Sequence, residues 1–353
     1  MPKEFVTYFD TNYAARGLVM LESLSQWGDV HATVLCLDDD IATIITSELG
    51  QRVRTVSMEE VWNHEPALRP LKNSRAPWEF YATHKPVVID WALRQLSADS
   101  LIAFIDADTF FFSDPAPLFA EAEGSSVVIS PHRFNPATQY LSICGLYNAG
   151  FGLWRHDSWG LRCLYDWRRD CLESCFAKVD EFGRFMNQTY LNHWPVRYAN
   201  VHILTHPGAN LAPWNVATHT LSGTSTGVLV DSQSLVFYHF HYLSRNADGA
   251  WQTYDLGRAM KQPLLHKLVY AAYLRALRVL TQRSCLSRNA DRAWQTYDLG
   301  RAMKQPLLHK LVYAPYLRAL EAMTQRLQSR YGVTGIGSVR PPAGNFPLIT
   351  FKL

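Results

Sequence analysis

Charge, paired cysteines and long apolar runs are all scarce in this sequence, and each scarcity removes a class of protein. Only 18% of the 353 residues are charged and the formal net charge is +3, which gives no electrostatic basis for binding nucleic acid. The six cysteines (Cys36, Cys144, Cys163, Cys171, Cys175 and Cys285) include no C-x-x-C pair. They are too sparse for a disulfide scaffold, so a reducing compartment is expected. The longest uncharged run, Phe134 to Trp154, carries Asn135, Pro136, Gln139, Asn148 and three glycines. That content does not suit a membrane span. The opening Met-Pro-Lys-Glu-Phe passes straight into strand-like sequence and meets Asp10, without the apolar stretch of a secretory leader. A cytoplasmic protein is the expectation. Aromatic residues, by contrast, are abundant: 17 Phe, 17 Tyr and 11 Trp within a 48% apolar chain, enough for a large buried core.

The first two thirds alternate short β-rich runs with helical patterns. Glu4–Phe9, His31–Leu37, Val53–Val56 and Leu101–Ile105 read as strands, and about Tyr13–Trp27, Ile41–Leu49 and Glu79–Gln95 as helices. Pro86 is expected in the first turn of the last helix or at a kink. The pattern predicts an α/β domain over residues 1–242, with a mostly parallel sheet flanked by helices. Ligands of such sheets lie beyond the carboxyl ends of the strands. Asp10, the Asp38–Asp40 run, Asp106 and Asp108 all fall at such ends.

The C-terminal third is organised differently. Residues 243–283 recur at 286–326 with 36 of 41 positions identical. Two copies are too few for a solenoid, so the repeat reads as a segment duplication. A helical region over 243–330 and a loosely ordered tail over 331–353 are expected. No acidic residue lies between Asp255 and Asp291, whereas Arg258, Lys261, Lys267, Arg275, Arg278, Arg283 and Arg288 are basic. The favoured reading is a helix packed on the first domain with a solvated basic face. The competing readings are peripheral contact with an anionic membrane, at the inner face, and a homodimer contact.

The strongest chemical signal is L-I-A-F-I-D-A-D-T-F-F-F-S-D-P at 101–115. In a regular strand, residues i and i+2 share a side, so Asp106 and Asp108 converge on one hard cation, Mn²⁺ or Mg²⁺. A diphosphate would fill the remaining positions. His239 and His241 in V-F-Y-H-F-H-Y alternate in the same way and are candidate metal ligands beside carboxylates. Trp214 in A-P-W-N is a candidate stacking surface for a sugar or base. His132 and Arg133 could face phosphates or serve the frame, and Cys171 and Cys175 read as packing residues.

These blocks together resemble the metal-dependent nucleotide-sugar glycosyltransferases of the GT-A (Rossmann-like) fold, and among them the glycogenin-like group. Strings such as H-R-F, G-x-Y-N, Y-L-x-x-W-P and A-P-W-N further resemble bacterial glycosyltransferases. The resemblance covers roughly residues 4–242. It implies a UDP-linked sugar donor and a glycan, lipid-linked or protein acceptor, within bacterial polysaccharide synthesis and with retention favoured. By the same match Thr7, Asp10 and Tyr13 would contact the nucleoside, and Lys85 the diphosphate. Asn148, Ala149 and Gly150 would line the sugar pocket. Asp106, Asp108 and His239, or alternatively His241, would hold the metal.

One position departs from the pattern. Where the glycogenin-like group carries an Asp-Gln pair against the donor sugar, this chain has Asn187 and Gln188. An amide keeps an acceptor and a donor but carries no charge. If the missing charge matters, Asn187→Asp is expected to raise transfer.

Overall fold

The computed structural model describes residues 2–225, 227–245, 251–254, 262, 264–283 and 348–351. Its centre is a seven-stranded sheet. In chain order, β1 is Lys3–Phe9, β2 Val30–Cys36, β3 Val53–Ser57 and β4 Leu101–Ile105. A short β5, Thr109–Phe111, stands outside this sheet, which continues with β6 (Val127–Pro131), β7 (Tyr147–Arg155) and β8 (Val201–Ile203). The spatial order is β3-β2-β1-β4-β7-β6-β8. β1 to β4 pair in parallel, whereas β7 is antiparallel to both neighbours. The sheet is thus mostly parallel, as the sequence pattern predicts, with one reversed strand in its middle.

Strand alternation divides the core in two. On β1, Phe5 and Phe9 join one apolar cluster and Val6 joins the other, the period-two outcome for a strand buried on both faces. Helices α1 (Ala14–Leu24) and α2 (Asp39–Leu49) cover the first face. On the second lie α3 (Met58–His64), α4 (Pro77–Leu93) and, after a short α5 (Ala116–Glu121), α6 (Ser158–Glu173) and α7 (Trp194–Arg197). The second core is held by the stacked rings of Trp154 and Trp167, 5.8 Å apart, with Trp194 edge-on to both.

Two departures from the sequence reading matter for the site. α4 begins at Pro77, and Pro86 lies deep inside it, not in its first turn. Asp38 caps α2 by accepting from the Ile41 N–H at 3.0 Å and pins Thr11 through its backbone N–H at 2.7 Å. Its carboxylate therefore serves helix capping.

A hairpin-like sheet of β9 (Leu221–Thr224), β10 (Gly227–Val230) and β11 (Gln233–Ser234) precedes β12, Phe237–His239, which pairs antiparallel with β5. Beyond it, β13 (Ser244–Arg245), β14 (Trp251–Tyr254) and β15 (Leu348–Phe351) form a further antiparallel sheet. The tail therefore contributes a strand at 348–351, where the sequence suggested only loose order. A π-helical turn, Leu265–Tyr270, leads into α8, Ala271–Arg283. Leu265, Val269, Tyr270, Tyr273, Leu274 and Leu277 join the core that holds α1, and the Tyr273 ring stacks on Phe240 at 3.9 Å. Residues 264–280 of the first copy thus pack on the sheet domain. The second copy, 286–326, lies outside the described residues.

Candidate active site

Asp106 and Asp108 follow β4 in a tight turn, not in the strand itself. The convergence expected from the strand pleat is therefore produced by the turn, in which the Thr109 hydroxyl donates to the Asp106 carbonyl at 2.9 Å. The β5–β12 ladder sets His239 opposite Thr109, and the Phe240 N–H donates to the Asp108 carbonyl at 2.8 Å. These pairings bring a carboxylate and an imidazole together from residues more than a hundred positions apart.

The Nε2 of His239 lies 3.0 Å from Asp108 Oδ1 and 4.0 Å from Asp106 Oδ2. The Nδ1 of His241 is 3.7 Å from Asp108 Oδ2. Asp108, His239 and His241 offer ligand atoms within 4.8 Å of one another. Burial by itself would raise the Asp108 carboxyl and lower the His239 imidazole, but their mutual attraction overrides both. The Asp108 carboxyl is held well below its usual range, and His239 is raised.

Asp106 faces a different partner. Lys85 Nζ, buried on α4, lies 2.8 Å from Asp106 Oδ1 and donates to the Ala149 carbonyl at 2.9 Å.

The donor set fits a divalent ion. His239 Nδ1 faces Asn210 Oδ1 at 3.3 Å, which orients the ring. Nε2 is buried without a hydrogen bond, although it faces two carboxylates. The approach is also very close: a Cβ on Gly150 would sit 2.6 Å from Asn148 Oδ1 and 2.7 Å from both Asp106 Oδ2 and His239 Cε1. Only glycine brings the backbone this near the acidic pair. Carboxylate with imidazole is a donor set for a first-row divalent metal such as Mn²⁺.

The facing wall is made of amides. Between β6 and β7 the register slips after Ile129/Gly152, so that Ser130 pairs with Asn148. The intervening Ala149, Gly150 and Phe151 form a bulge beside Asp106, whose N–H donates to the Gly150 carbonyl at 2.9 Å. Asn148 Oδ1 accepts from the Gly150 N–H at 2.9 Å, so its Nδ2 is the donor, 3.2 Å from His132 Nε2 and 3.3 Å from Gln188 Oε1. Gln188 Oε1 also accepts from the Ala149 N–H at 3.1 Å, and its Nε2 donates to the Cys144 carbonyl at 2.8 Å. Both side-chain amides in this relay therefore have a fixed polarity. His132 must then carry its proton on Nδ1, and burial pushes its imidazole down to about 3.

A cavity of about 780 Å³ separates the two walls. It is lined by Asp10, Tyr13, Lys85, Asp106, Asp108, Asn148, Ala149, Gly150, Asn187, Gln188, Trp214, His239 and His241. Thr7 does not line it. Thr7 is buried inside β1, whereas Tyr8 and Phe9, at the carboxyl end of the strand, do line the cavity. Arg133 also stands apart: its guanidinium donates to the carbonyls of Ala209 at 3.0 Å and Leu204 at 2.8 Å. The Trp214 ring stands edge-on to both His132 and His239, 5.3 Å from each.

Sequence reasoning missed Tyr8, Trp78, Tyr81 and Phe134 in the lining, and Asn210 behind His239. Tyr8, Tyr81 and Phe134 each lie inside a recognisable sequence block, and Asn210 stands two residues before A-P-W-N; Trp78 had no such signal.

No protein-family model matches the chain. The uncharacterized protein YfnD of Bacillus subtilis (strain 168) is 30% identical over 239 residues, covering 67% of this chain and 76% of the relative. The uncharacterized protein YfnF of the same organism is 30% identical over 249 residues, covering 68% and 81%. Among solved structures, the galactosyltransferase LgtC, in complex with donor and acceptor sugar analogues, superposes with a TM-score of 0.51 at 15% identity, over 81% of this chain and 99% of that one. This likeness establishes the GT-A glycosyltransferase fold. The chain belongs to the same family as YfnD and YfnF, built on that fold.

Proposed function

We propose that this chain is a glycosyltransferase that moves a hexose from a UDP-linked donor to an acceptor hydroxyl, with Mn²⁺ or Mg²⁺ bound at Asp106, Asp108 and His239, and His241 beside them. The observation that carries the reading is the grouping of Asp108, His239 and His241 within 4.8 Å, one turn from a Lys85–Asp106 pair and open to a cavity of sugar-nucleotide size. The same fold serves the galactosyltransferase LgtC. When bound, the ion supplies charge neutralisation for the departing diphosphate.

The chain's own residues do the rest. Asp10 and Tyr13 border the nucleoside end of the cavity. Lys85, whose ammonium is held by Asp106 and the Ala149 carbonyl, is placed to donate to phosphate oxygens. The Ala149–Gly150 bulge lets the sugar approach the acidic pair, while Trp214 and Phe134 offer apolar faces for a pyranose. Among the described lining residues the only carboxylates are Asp10, Asp106 and Asp108. None is left over as a base on the acceptor side, which favours retention over inversion. The acceptor we assign is a bacterial glycan, free or lipid-linked.

Hydrolysis of UDP-glucose and UDP-galactose with Mn²⁺ and with EDTA tests the reading. Metal-stimulated release of UDP is the expected result. Binding of UDP and Mn²⁺ without release would mark a sugar-nucleotide-binding protein, the reading that Asn187 in place of a carboxylate would favour.

A further inference from the structure

We infer that Asn187 is a positioning residue made necessary by Pro86: its amide replaces the hydrogen bond that Pro86 removes from α4, and it thereby sets the turn that carries Lys85. α4 runs unbroken from Pro77 to Leu93 with Pro86 inside it. A proline has no N–H, so the carbonyl four residues earlier, that of Ala82, has no helical donor. Asn187 Nδ2 donates to that oxygen at 2.9 Å. The other end of Asn187 is equally fixed. Its backbone carbonyl accepts from the Trp167 indole at 2.7 Å, and Trp167 is buried in the tryptophan core. A strut therefore runs from α6 through Asn187 to the turn of α4 that carries Lys85.

Lys85 directly precedes Pro86, and its ammonium must meet both Asp106 and the Ala149 carbonyl. A proline relaxes and bends the helix at this turn; the strut determines where the bend comes to rest. With one proton of Nδ2 committed to Ala82, the Asn187 amide is held in one orientation beside the cavity that it lines. An aspartate here would set a carboxylate oxygen against the Ala82 carbonyl and supply no proton, leaving a buried acceptor unpaired. The gain expected from restoring a charge is thus reversed: Asn187→Asp should weaken the protein because Pro86 is present. The consequence for Lys85 and its phosphate rests on the glycosyltransferase reading. The strut does not.

A double-mutant cycle in the full chain separates the two. Asn187→Asp is expected to lower the thermal midpoint by several degrees in the parent. In the Pro86→Ala background it should cost much less, because the backbone N–H restored by that substitution then serves the Ala82 carbonyl. An equal loss in both backgrounds overturns the strut. In the parent, one Asn187 side-chain amide proton should exchange slowly and resonate downfield; a rapidly exchanging pair overturns it as well. For the positioning role, Asn187→Asp should weaken UDP affinity severalfold in the parent and much less in the Pro86→Ala background, because the turn that carries Lys85 depends on the strut only where the proline is present. An equal change in both backgrounds overturns the positioning role. Failure of the parent to hydrolyse any UDP-hexose overturns the glycosyltransferase reading while the thermal cycle still decides the strut.

Discussion

The two walls of the cavity are built on opposite principles, and two histidines either side of Trp214 make the contrast plain. His239 belongs to the charged wall, where Asp108 draws it toward the protonated form against the effect of burial. His132 belongs to the amide wall, where burial holds it neutral, down to about 3. The same side chain thus carries opposite roles through its neighbours. The charged wall aims His239 Nε2 at the carboxylates of Asp108 and Asp106, 3.0 and 4.0 Å away, so its donor atoms converge on one point. The amide wall spends its donors and acceptors on its own backbone: Gly150, Ala149 and Cys144. One wall is built to receive a ligand, and the other to hold the first in register.

The largest effect should come from the charged wall. Asp108→Ala removes the carboxylate that faces both His239 and His241 and should lower metal-stimulated UDP release by about 100-fold or more. Gln188→Ala, on the amide wall, should act mainly through thermal stability. Similar losses of turnover at saturating donor for the two variants would break the contrast.

Gly150 is where the walls touch, because an added methyl would meet an atom of Asn148 from one side and atoms of Asp106 and His239 from the other. Overpacking of this kind costs about 1–3 kcal/mol. Gly150→Ala should therefore lose stability by urea unfolding and lose UDP binding in calorimetry. A variant with normal stability and normal affinity would mean that the close approach has no structural consequence.

The amide wall makes a pH prediction. An imidazole free in the unfolded chain titrates near 6.5, whereas folded His132 stays neutral down to about 3. Below 6.5 the unfolded chain binds a proton that the folded chain refuses. The stability that His132 contributes is complete above 6.5 and is lost as the pH falls toward 3, by roughly 1.4 kcal/mol per unit. His132→Gln should flatten the stability profile between pH 6.5 and 5. An unchanged slope would show that His132 is not held neutral.

The charged wall was legible in the sequence because its parts announce themselves. A carboxylate pair is weak by itself, but after an apolar strand, with a His-x-His after an aromatic run, it points to a metal, and the β5–β12 pairing joins the two strings. The alternation of strands and helices likewise exposed the sheet, since each element carries its own periodicity. What stayed hidden depends on hydrogen-bond direction and on register. Thr7 looked like its motif neighbours, but it is buried inside β1, short of the strand end that meets the cavity. Pro86 was expected in a first turn or at a kink because a sequence does not show that Asn187, a hundred residues later, satisfies the carbonyl it orphans. The bulge at Ala149–Gly150 leaves no mark beyond its glycine. The helix at 264–283 read correctly as amphipathic, yet its partner face, with Phe240 stacked on Tyr273, could be found only in three dimensions.

The smallest effect belongs to Arg133, a residue whose place after β6 suggests a phosphate ligand. It adopts a left-handed backbone, with φ at 51°, and its guanidinium ties two carbonyls from the segment that leads to Asn210. A lysine supplies one ammonium where a fork is needed, so Arg133→Lys should lose one of those bonds, worth about 1 kcal/mol. The thermal midpoint should fall by a few degrees, as the segment behind His239 loosens. Donor affinity should stay within about twofold, because Arg133 does not line the cavity. A tenfold loss of UDP affinity, with an unchanged midpoint, would move Arg133 from the frame into the donor site and make the amide wall a ligand-binding surface like its counterpart.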